Sequence, residues 1–192
     1  DAFTTAEGTV LTGGNVLAAN PTTADSDADG QALTVTGVTG GTVGAAFVLA
    51  SGAQLTLNSD GTFSYDPNGQ FDFLAVGETA TDSFSYTISD TESATDTATV
   101  TVTITGVNAA PTVSAAVSST VTEDDGAYSL DLLTNASDVD TSDTLAISGL
   151  TLNSGDATGI TVNGNSLDID PSVYSSLAQG ESAVITYSYN VI

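Results

Sequence analysis

The sequence predicts an all-β fold of two tandem Ig-like β-sandwich domains. Three observations support this prediction: apolar residues recur at every second position, Gly is abundant beside many Ser and Thr, and a set of motifs occurs twice along the chain. The 192 residues suffice for two domains of about 100 residues each. Because no segment has the spacing of an amphipathic helix, we expect almost no helix.

Alternation with a period of two marks the predicted strands. In residues 95–105, apolar residues from Ala98 to Ile104 alternate with threonines, which is typical of a half-buried strand. Residues 84–88 and 185–191 show the same alternation. The aromatic residues that recur at strand spacing are expected in the cores: Phe63, Tyr65, Phe84, Tyr86, Tyr187 and Tyr189.

An internal repeat divides the chain into two domains. The segment LAVGE at 74–78, followed by Phe-Ser-Tyr, recurs as LAQGE at 177–181, followed by Tyr-Ser-Tyr. A Pro and several small residues lie between the two copies, as is usual in a short, fairly stiff linker. We therefore expect one domain at residues 1–107, a linker at 108–111 and a second, divergent domain at 112–192.

The second copy of the repeat stops after the equivalent of residues 84–88, so the counterpart of strand 95–105 is missing. We expect the second sandwich to lack its last strand, which leaves backbone groups unpaired at one sheet edge. Two sources of that strand stay open. The natural chain continues in a longer tandem array, or a neighbouring subunit donates the strand.

Charge and composition exclude many functions. The chain has 24 Asp plus Glu, no Lys, Arg, His or Cys, and a formal net charge of -24. Catalysis by Ser-His-Asp or Cys-His groups, Schiff-base chemistry and zinc sites of the usual kind all need the missing residues. A surface of this charge repels nucleic acid, and no stretch approaches the roughly 18 apolar residues of a membrane span. We expect no enzyme, no nucleic-acid partner and no membrane insertion.

The motifs resemble the VCBS-type, cadherin-like repeats of large bacterial cell-surface adhesins and extracellular fibres. The resemblance is carried by TAEGTVLTGGNVL at 5–17, DSDADGQALTVTGV at 25–38, FDFLAVGETATDSFSYTISD at 71–90 and the junction VNAAP at 107–111. Asp138-Val139-Asp140 stands where cadherins carry Asp-x-Asp. The resemblance implies two cadherin-like sandwiches, a secreted or cell-surface location, and calcium ions at the junctions between domains.

Calcium also suits the residue types in the sequence, because Ca²⁺ takes about six to eight oxygen ligands and an Asp-x-Asp loop can direct two carboxylates at one ion. The resemblance implies a middle-junction site formed by Glu7, Glu78, Asp82, Asn108, Asp138 and Asp140. It implies that other acids face a preceding repeat, namely Asp27, Asp29 and Asp90, or a following one, namely Glu123 and Glu181.

One departure from the family pattern affects the middle site. Ala109 occupies the linker position where the family has an acid. With one strong ligand fewer, the junction holds one ion instead of several, binds weakly or stays empty. A different interpretation of each Asp cluster needs no metal, since Asp caps turns through side-chain hydrogen bonds to the backbone.

The leading functional hypothesis is a non-catalytic structural segment of an extracellular adhesin, stalk or filament. Its partners would be neighbouring repeats of the same chain or identical subunits in a fibre. A second hypothesis is a module that binds a cell-surface glycan or protein, for which the Gly-rich residues 38–53 are the candidate loop. A third is an acid-pair glycoside hydrolase using Asp168 and Asp170, although these two share a strand face without sign of a cleft.

Overall fold

The computed structural model describes residues 1–18 and 24–192, and the predicted all-β class is confirmed over them. The chain divides into two compact units. The first comprises Asp1–Ala109 together with Asp140–Ser142, and the second comprises Ala110–Val139 and Asp143–Ile192. Among the described residues, no helix has the length and apolar character that crossing a membrane requires.

The first unit is a sandwich of two four-stranded sheets. One sheet has the order β1-β8-β7-β3, with β1 parallel to β8, and the other has the order β2-β6-β5-β4. The strands are β1 (Ala2–Ala6), β2 (Leu11–Asn15), β3 (Thr34–Val38), β4 (Phe47–Val48), β5 (Gln54–Leu57), β6 (Thr62–Asp66), β7 (Thr79–Ser89) and β8 (Thr95–Thr105).

Strand β8 has the predicted bounds and the predicted alternation. Val100, Val102 and Ile104 are fully buried, whereas the threonines between Thr97 and Thr101 are exposed. Because successive side chains of a strand point to opposite faces, one face of β8 fills the core and the other meets water. The core of this unit also contains the predicted aromatic residues Phe63, Tyr65, Phe84 and Tyr86.

The candidate loop at residues 38–53 contains a short strand. It contains β4, which pairs with β5 at the sheet edge, and Phe47 packs against the core. The backbone N–H of Gly44 donates to the Leu57 carbonyl at 2.7 Å, and that of Leu49 donates to the Ala53 carbonyl at 2.8 Å. The segment is therefore joined to its sheet by the β4–β5 pairing and by the Gly44–Leu57 hydrogen bond.

The second unit has fewer paired strands. Its sheets have the orders β10-β14-β13, β11-β9 and β12-β15. The elements are β9 (Thr112–Val113), β10 (Tyr128–Asp131), β11 (Ala136–Ser137), β12 (Ile147–Ser154), β13 (Ile160–Asn163), β14 (Ser166–Ile169), a 3-10 helix (Pro171–Tyr174) and β15 (Thr186–Val191).

The internal repeat is visible in a turn that both units share. The N–H of Glu78 donates to the Ala75 carbonyl at 3.0 Å, and the Glu78 carboxylate accepts from the Ala75 N–H at 3.0 Å. Glu181 makes the same two bonds to Ala178, each at 2.9 Å. A glycine with positive φ precedes the Glu in both copies, at 88° and 85°, as such a turn favours.

A tyrosine hydroxyl occupies the same place in both units. Tyr86 donates to the Val16 carbonyl at 3.2 Å, and Tyr189 donates to the Leu132 carbonyl at 2.7 Å. The two rings differ in burial, since Tyr86 is 2% exposed while Tyr189 and Tyr187 are only half-buried. The prediction that these last two residues are core residues therefore holds only in part.

Candidate metal centre

Glu7 is a predicted ligand that lies buried in the first unit. It follows β1, where its N–H continues the β1–β8 ladder by donating to the Thr105 carbonyl at 3.0 Å. Its side chain is 7% exposed. Oε1 accepts a hydrogen bond from the Val107 N–H at 3.2 Å, and Oε2 is buried without a hydrogen-bond partner among the described residues.

Asp140 belongs to the same compact unit as Glu7 and is 1% exposed. Its Oδ2 accepts a hydrogen bond from the Ala109 N–H at 2.8 Å. The next residue, Thr141, donates its N–H to the Phe73 carbonyl at 3.2 Å, which fixes this short segment against the loop after β6. Glu7 and Asp140 thus each hold one backbone amide of residues 107–109.

The electrostatics of the site disfavour the ionised form of Glu7. Burial raises the pKa of the Glu7 carboxyl above its ordinary value, and the hydrogen bond from the Val107 N–H partly opposes this. The negative charges of Asp140 and Asp72 raise the pKa further. A cation beside Glu7 would reverse both effects, because it would compensate the lost hydration and neutralise the repulsion.

The donor set fits a hard cation but is small. The described residues contain no group of three or more acidic side chains that could hold a metal ion. Glu7 and Asp140 would therefore need backbone carbonyls, water or Asp72 to approach the ligand number of calcium. Asp72 was not among the predicted ligands; the only sequence signal for it is its place in the FDF motif at 71–73.

Two further predicted ligands from the first unit form hydrogen bonds inside the protein. The Glu78 carboxylate closes the turn with Ala75 described above. Asp82 lies on β7, where Oδ2 accepts from the Tyr65 hydroxyl at 2.8 Å and from the Ser51 hydroxyl at 2.6 Å. These bonds give both carboxylates structural roles in the sandwich.

The acids predicted to face a preceding repeat shape turns. Asp27 Oδ1 accepts from the N–H of Asp29 at 2.8 Å, and Asp29 itself is exposed. Asp90 Oδ1 accepts from the N–H groups of Glu92 and Ala94, at 2.9 and 2.8 Å, in the hairpin between β7 and β8. These bonds match the metal-free interpretation of Asp clusters.

The remaining predicted ligands either belong to the second unit or are exposed. Asn108 is exposed, and its side-chain amide donates to the Ala109 carbonyl. Glu123 and Asp138 are half-buried residues of the second unit, and Glu181 closes the repeated turn. Of the eleven predicted positions, Glu7 and Asp140 are both buried and lie within electrostatic reach of each other.

Sequence reasoning also missed a polar cluster around the Tyr86 hydroxyl. That oxygen lies 2.9 Å from Asp1 Oδ2, 3.0 Å from Asp25 Oδ2 and 3.2 Å from the Val16 carbonyl. Burial and the neighbouring Asp25 raise the pKa of the Tyr86 hydroxyl, so it stays a donor. Only one of the three acceptors can receive its single proton at a time.

The second unit carries a shallow depression of about 470 Å³. Its one aromatic ring is the half-buried Tyr128, whose hydroxyl donates to Ser119 at 3.0 Å. Asp168 and Asp170 both line it; Asp168 accepts from Asn163 at 2.9 Å, and Asp170 caps the 3-10 helix. These hydrogen bonds give the acid pair structural roles.

Two tandem β-sandwiches that carry buried acids beside the linker define a repeat protein of the Ig-like class. The chain belongs to the family of bacterial cadherin-like domains, whose model matches residues 1–106; the model of a cadherin-like domain matches residues 107–176. No curated protein matches the chain. The prediction of two cadherin-like domains in tandem is therefore confirmed.

Proposed function

We propose that the chain is a non-catalytic structural segment of a bacterial extracellular adhesin, stalk or filament of the VCBS-like type. We further propose that calcium stiffens the junctions between its domains. Membership of the bacterial cadherin-like family supports an extracellular repeat. The absence of His, Lys, Arg and Cys supports a role without catalysis. The partners are neighbouring repeats of the same chain or identical subunits of a fibre.

The observation that carries the calcium proposal is the state of Glu7. A carboxylate oxygen that is buried and accepts no hydrogen bond from the described residues costs free energy. The nearby charges of Asp140 and Asp72 add to that cost. A divalent cation is the partner that relieves burial and repulsion together, and carboxylate oxygens are the ligands Ca²⁺ prefers.

The chain's own residues determine what such an ion would do. Glu7 and Asp140 already fix the Val107 and Ala109 amides through one oxygen each. An ion held by the same carboxylates would keep both of them ionised and in place, which would restrict residues 107–109 and the segment 140–142. Calcium supplies the positive charge, while the two hydrogen bonds orient the carboxylates.

Calorimetric titration of the whole chain with Ca²⁺ tests this proposal, using Glu7→Gln as the diagnostic variant. Gln keeps an oxygen for the Val107 N–H but removes the charge, so we expect at least a tenfold loss of affinity at one site. Glu92→Gln is the matched control, because Glu92 is an exposed residue of the β7–β8 hairpin and makes the same charge change. Equal binding by the wild type and Glu7→Gln would exclude Glu7 as a ligand.

The depression on the second unit does not favour the alternative of a glycan-binding module. A glycan-binding module needs an exposed aromatic platform, and the depression on the second unit offers one half-buried ring.

A further inference from the structure

We propose that the outer face of the β1-β8-β7-β3 sheet in the first unit binds the same face of a second copy of this chain. We call this surface the hydroxyl face. It consists of the alternate residues from Thr79 to Ser89 on β7 and from Thr95 to Thr105 on β8, with Thr4 on β1 and Thr34 on β3. The inference rests on the structural role proposed above and names the surface through which identical subunits meet, but it does not depend on calcium.

The hydroxyl face is a regular grid. The pairing of β7 with β8 runs from Thr79↔Thr105 to Ser89↔Thr95, and every pair on its outward side joins a Thr or Ser to a Thr. The pairs between them point to the core, as Phe84↔Val100 does. Across this long ladder, the outward surface therefore presents only hydroxyl groups and the methyl groups of the threonines.

The hydroxyl face is free of charge in a highly charged chain. All of its residues lie in the described part of the chain, and none of them is Asp or Glu. The acids within β7 and β8, Asp82 and Asp96, pair with Val102 and Ile88, on the opposite side of the sheet. Two copies with a formal charge of -24 each repel one another, so they approach most easily where neither presents a carboxylate. A cationic partner would instead bind where the acids are.

The side chains of the hydroxyl face can be buried at low cost. Thr97, Thr99 and Thr101 are exposed, so they are open to a partner. The Ser85 and Thr99 hydroxyl oxygens lie 3.0 Å apart, and this cross-strand hydrogen bond persists when water is excluded. Threonine has a restricted χ1 angle, so fixing it in an interface loses little side-chain entropy. The threonine methyl groups supply the apolar contact.

The size of the hydroxyl face predicts a weak dimer. Strands β7 and β8 have 11 residues each, and β1 and β3 have 5 each. At about 3.4 Å per residue and about 4.8 Å between strands, the four strands cover roughly 500 Å². Two such faces bury about 1,000 Å² together, the lower limit of a specific interface. Such a contact forms only when salt screens the repulsion between the remaining acids of the two copies.

Sedimentation velocity of the whole chain in chelator tests the proposal, with sodium chloride raised from about 0.01 to about 1 M. The Debye length falls from about 30 to about 3 Å over this range, so we expect the dimer fraction to rise about fivefold or more. Thr99→Asp places a carboxylate on the face of each copy and should raise the Kd of the dimer about tenfold or more. Thr56→Asp is the matched control, because Thr56 lies on β5 in the opposite sheet. It should dimerise like the wild type.

A labelling experiment keeps the proposal falsifiable if Thr99→Asp does not fold. The chain has no Cys, so Thr99→Cys and Thr56→Cys each introduce a single thiol. At a high salt concentration where the dimer predominates, a maleimide should label the thiol at 99 several-fold more slowly than at low salt. The thiol at 56 should label at the same rate in both conditions.

Several outcomes would overturn the proposal. They are a monomer at every salt concentration, equal weakening by Thr99→Asp and Thr56→Asp, or equal labelling of the two thiols. Dimers that form only when Ca²⁺ replaces the chelator would also overturn it, because carboxylates would then bridge the copies. A monomer that binds cellulose, and loses this binding in Thr99→Asp, would assign the face to a neutral glycan instead. None of these outcomes alters the calcium titration of Glu7→Gln, so the two proposals are tested separately.

Discussion

At the scale of single residues, Glu7 combines a buried position with a group that is ordinarily charged. It is 7% exposed, yet one of its oxygens accepts no hydrogen bond from the described residues. Buried carboxyl groups without full compensation respond by holding a proton or by binding a cation. The two responses can be separated by measurements in chelator and in calcium.

Without calcium, stability should depend on pH through Glu7. Its pKa is raised above the ordinary value of 4.5, so the folded protein holds this proton more tightly than the unfolded chain. The free energy of unfolding should therefore fall as pH rises from about 4.5 through the raised pKa, and it should stay lower above that range. In chelator, Glu7→Gln should gain stability relative to the wild type across the same range. Parallel denaturation curves for the two proteins would contradict this.

The hydrogen bond between the Tyr65 hydroxyl and Asp82 should contribute to the stability of the first unit. Tyr65 is fully buried and donates to Asp82 Oδ2 at 2.8 Å, so Tyr65→Phe removes a hydrogen bond to a charged group. We expect a loss of about 1 to 3 kcal/mol in urea unfolding. Tyr128→Phe is the control, because its hydroxyl bonds to the exposed Ser119, and the loss should be within about 0.5 kcal/mol. Equal losses would mean that the Asp82 bond adds nothing specific.

Individual site residues could be predicted from the sequence only where the motif fixes their place. The resemblance selected Glu7 and Asp140, which the structure brings into electrostatic reach of each other. It did not select Asp72, because a single acid between two phenylalanines has no spacing that identifies a ligand. It could not show that Asp82 bonds to Tyr65, since that contact joins two strands, β6 and β7, that belong to different sheets.

At the scale of strands and turns, β8 should carry much of the first unit's stability on one face only. Ile104 is fully buried, so Ile104→Ala should cost about 2 to 5 kcal/mol through lost contacts and a cavity. Thr101 lies on the exposed face of the same strand, and Thr101→Ala should cost less than about 1 kcal/mol. Chemical denaturation of both variants checks this, and similar costs would show that the two faces are not distinguished.

The repeated turn should require glycine, because its backbone has a positive φ at that position in both copies. Gly180 has a φ of 85° and open space where a Cβ would lie, so Gly180→Ala adds backbone strain without a clash. We expect a loss of about 1 to 2 kcal/mol for the second unit. Gly126 has equally open space but no positive φ, so Gly126→Ala should be neutral or slightly stabilising. A neutral Gly180→Ala would show that the turn tolerates another conformation.

Elements with strong local patterns could be predicted, and those fixed by tertiary pairing could not. Alternation alone gave β8, and the recurring LAVGE and LAQGE segments correctly indicated equivalent turns. The parallel pairing of β1 with β8 has no local signal, because it joins residues about a hundred positions apart. Strand β4 is two residues long, too short for any periodicity to reveal.

At the scale of the whole molecule, the high negative charge should make the stability of the chain sensitive to cations. The chain carries a formal charge of -24 and no basic side chain to balance it. Mutual repulsion of the carboxylates opposes the compact state, most strongly at low ionic strength, where screening is weakest. Any cation would reduce this general repulsion. Only a specific binding site would distinguish calcium from magnesium, and stabilisation through that site would depend on Glu7.

Scanning calorimetry of the whole chain at low ionic strength tests the calcium claim most directly, with Ca²⁺, equimolar Mg²⁺ or chelator. A calcium concentration about 100-fold above Kd should stabilise the first unit by roughly 2.7 kcal/mol. The account predicts that Ca²⁺ raises the melting temperature of the wild type more than Mg²⁺ does, and that Glu7→Gln loses this difference while Glu92→Gln keeps it. A wild-type melting temperature equal in Ca²⁺, Mg²⁺ and chelator would contradict the account.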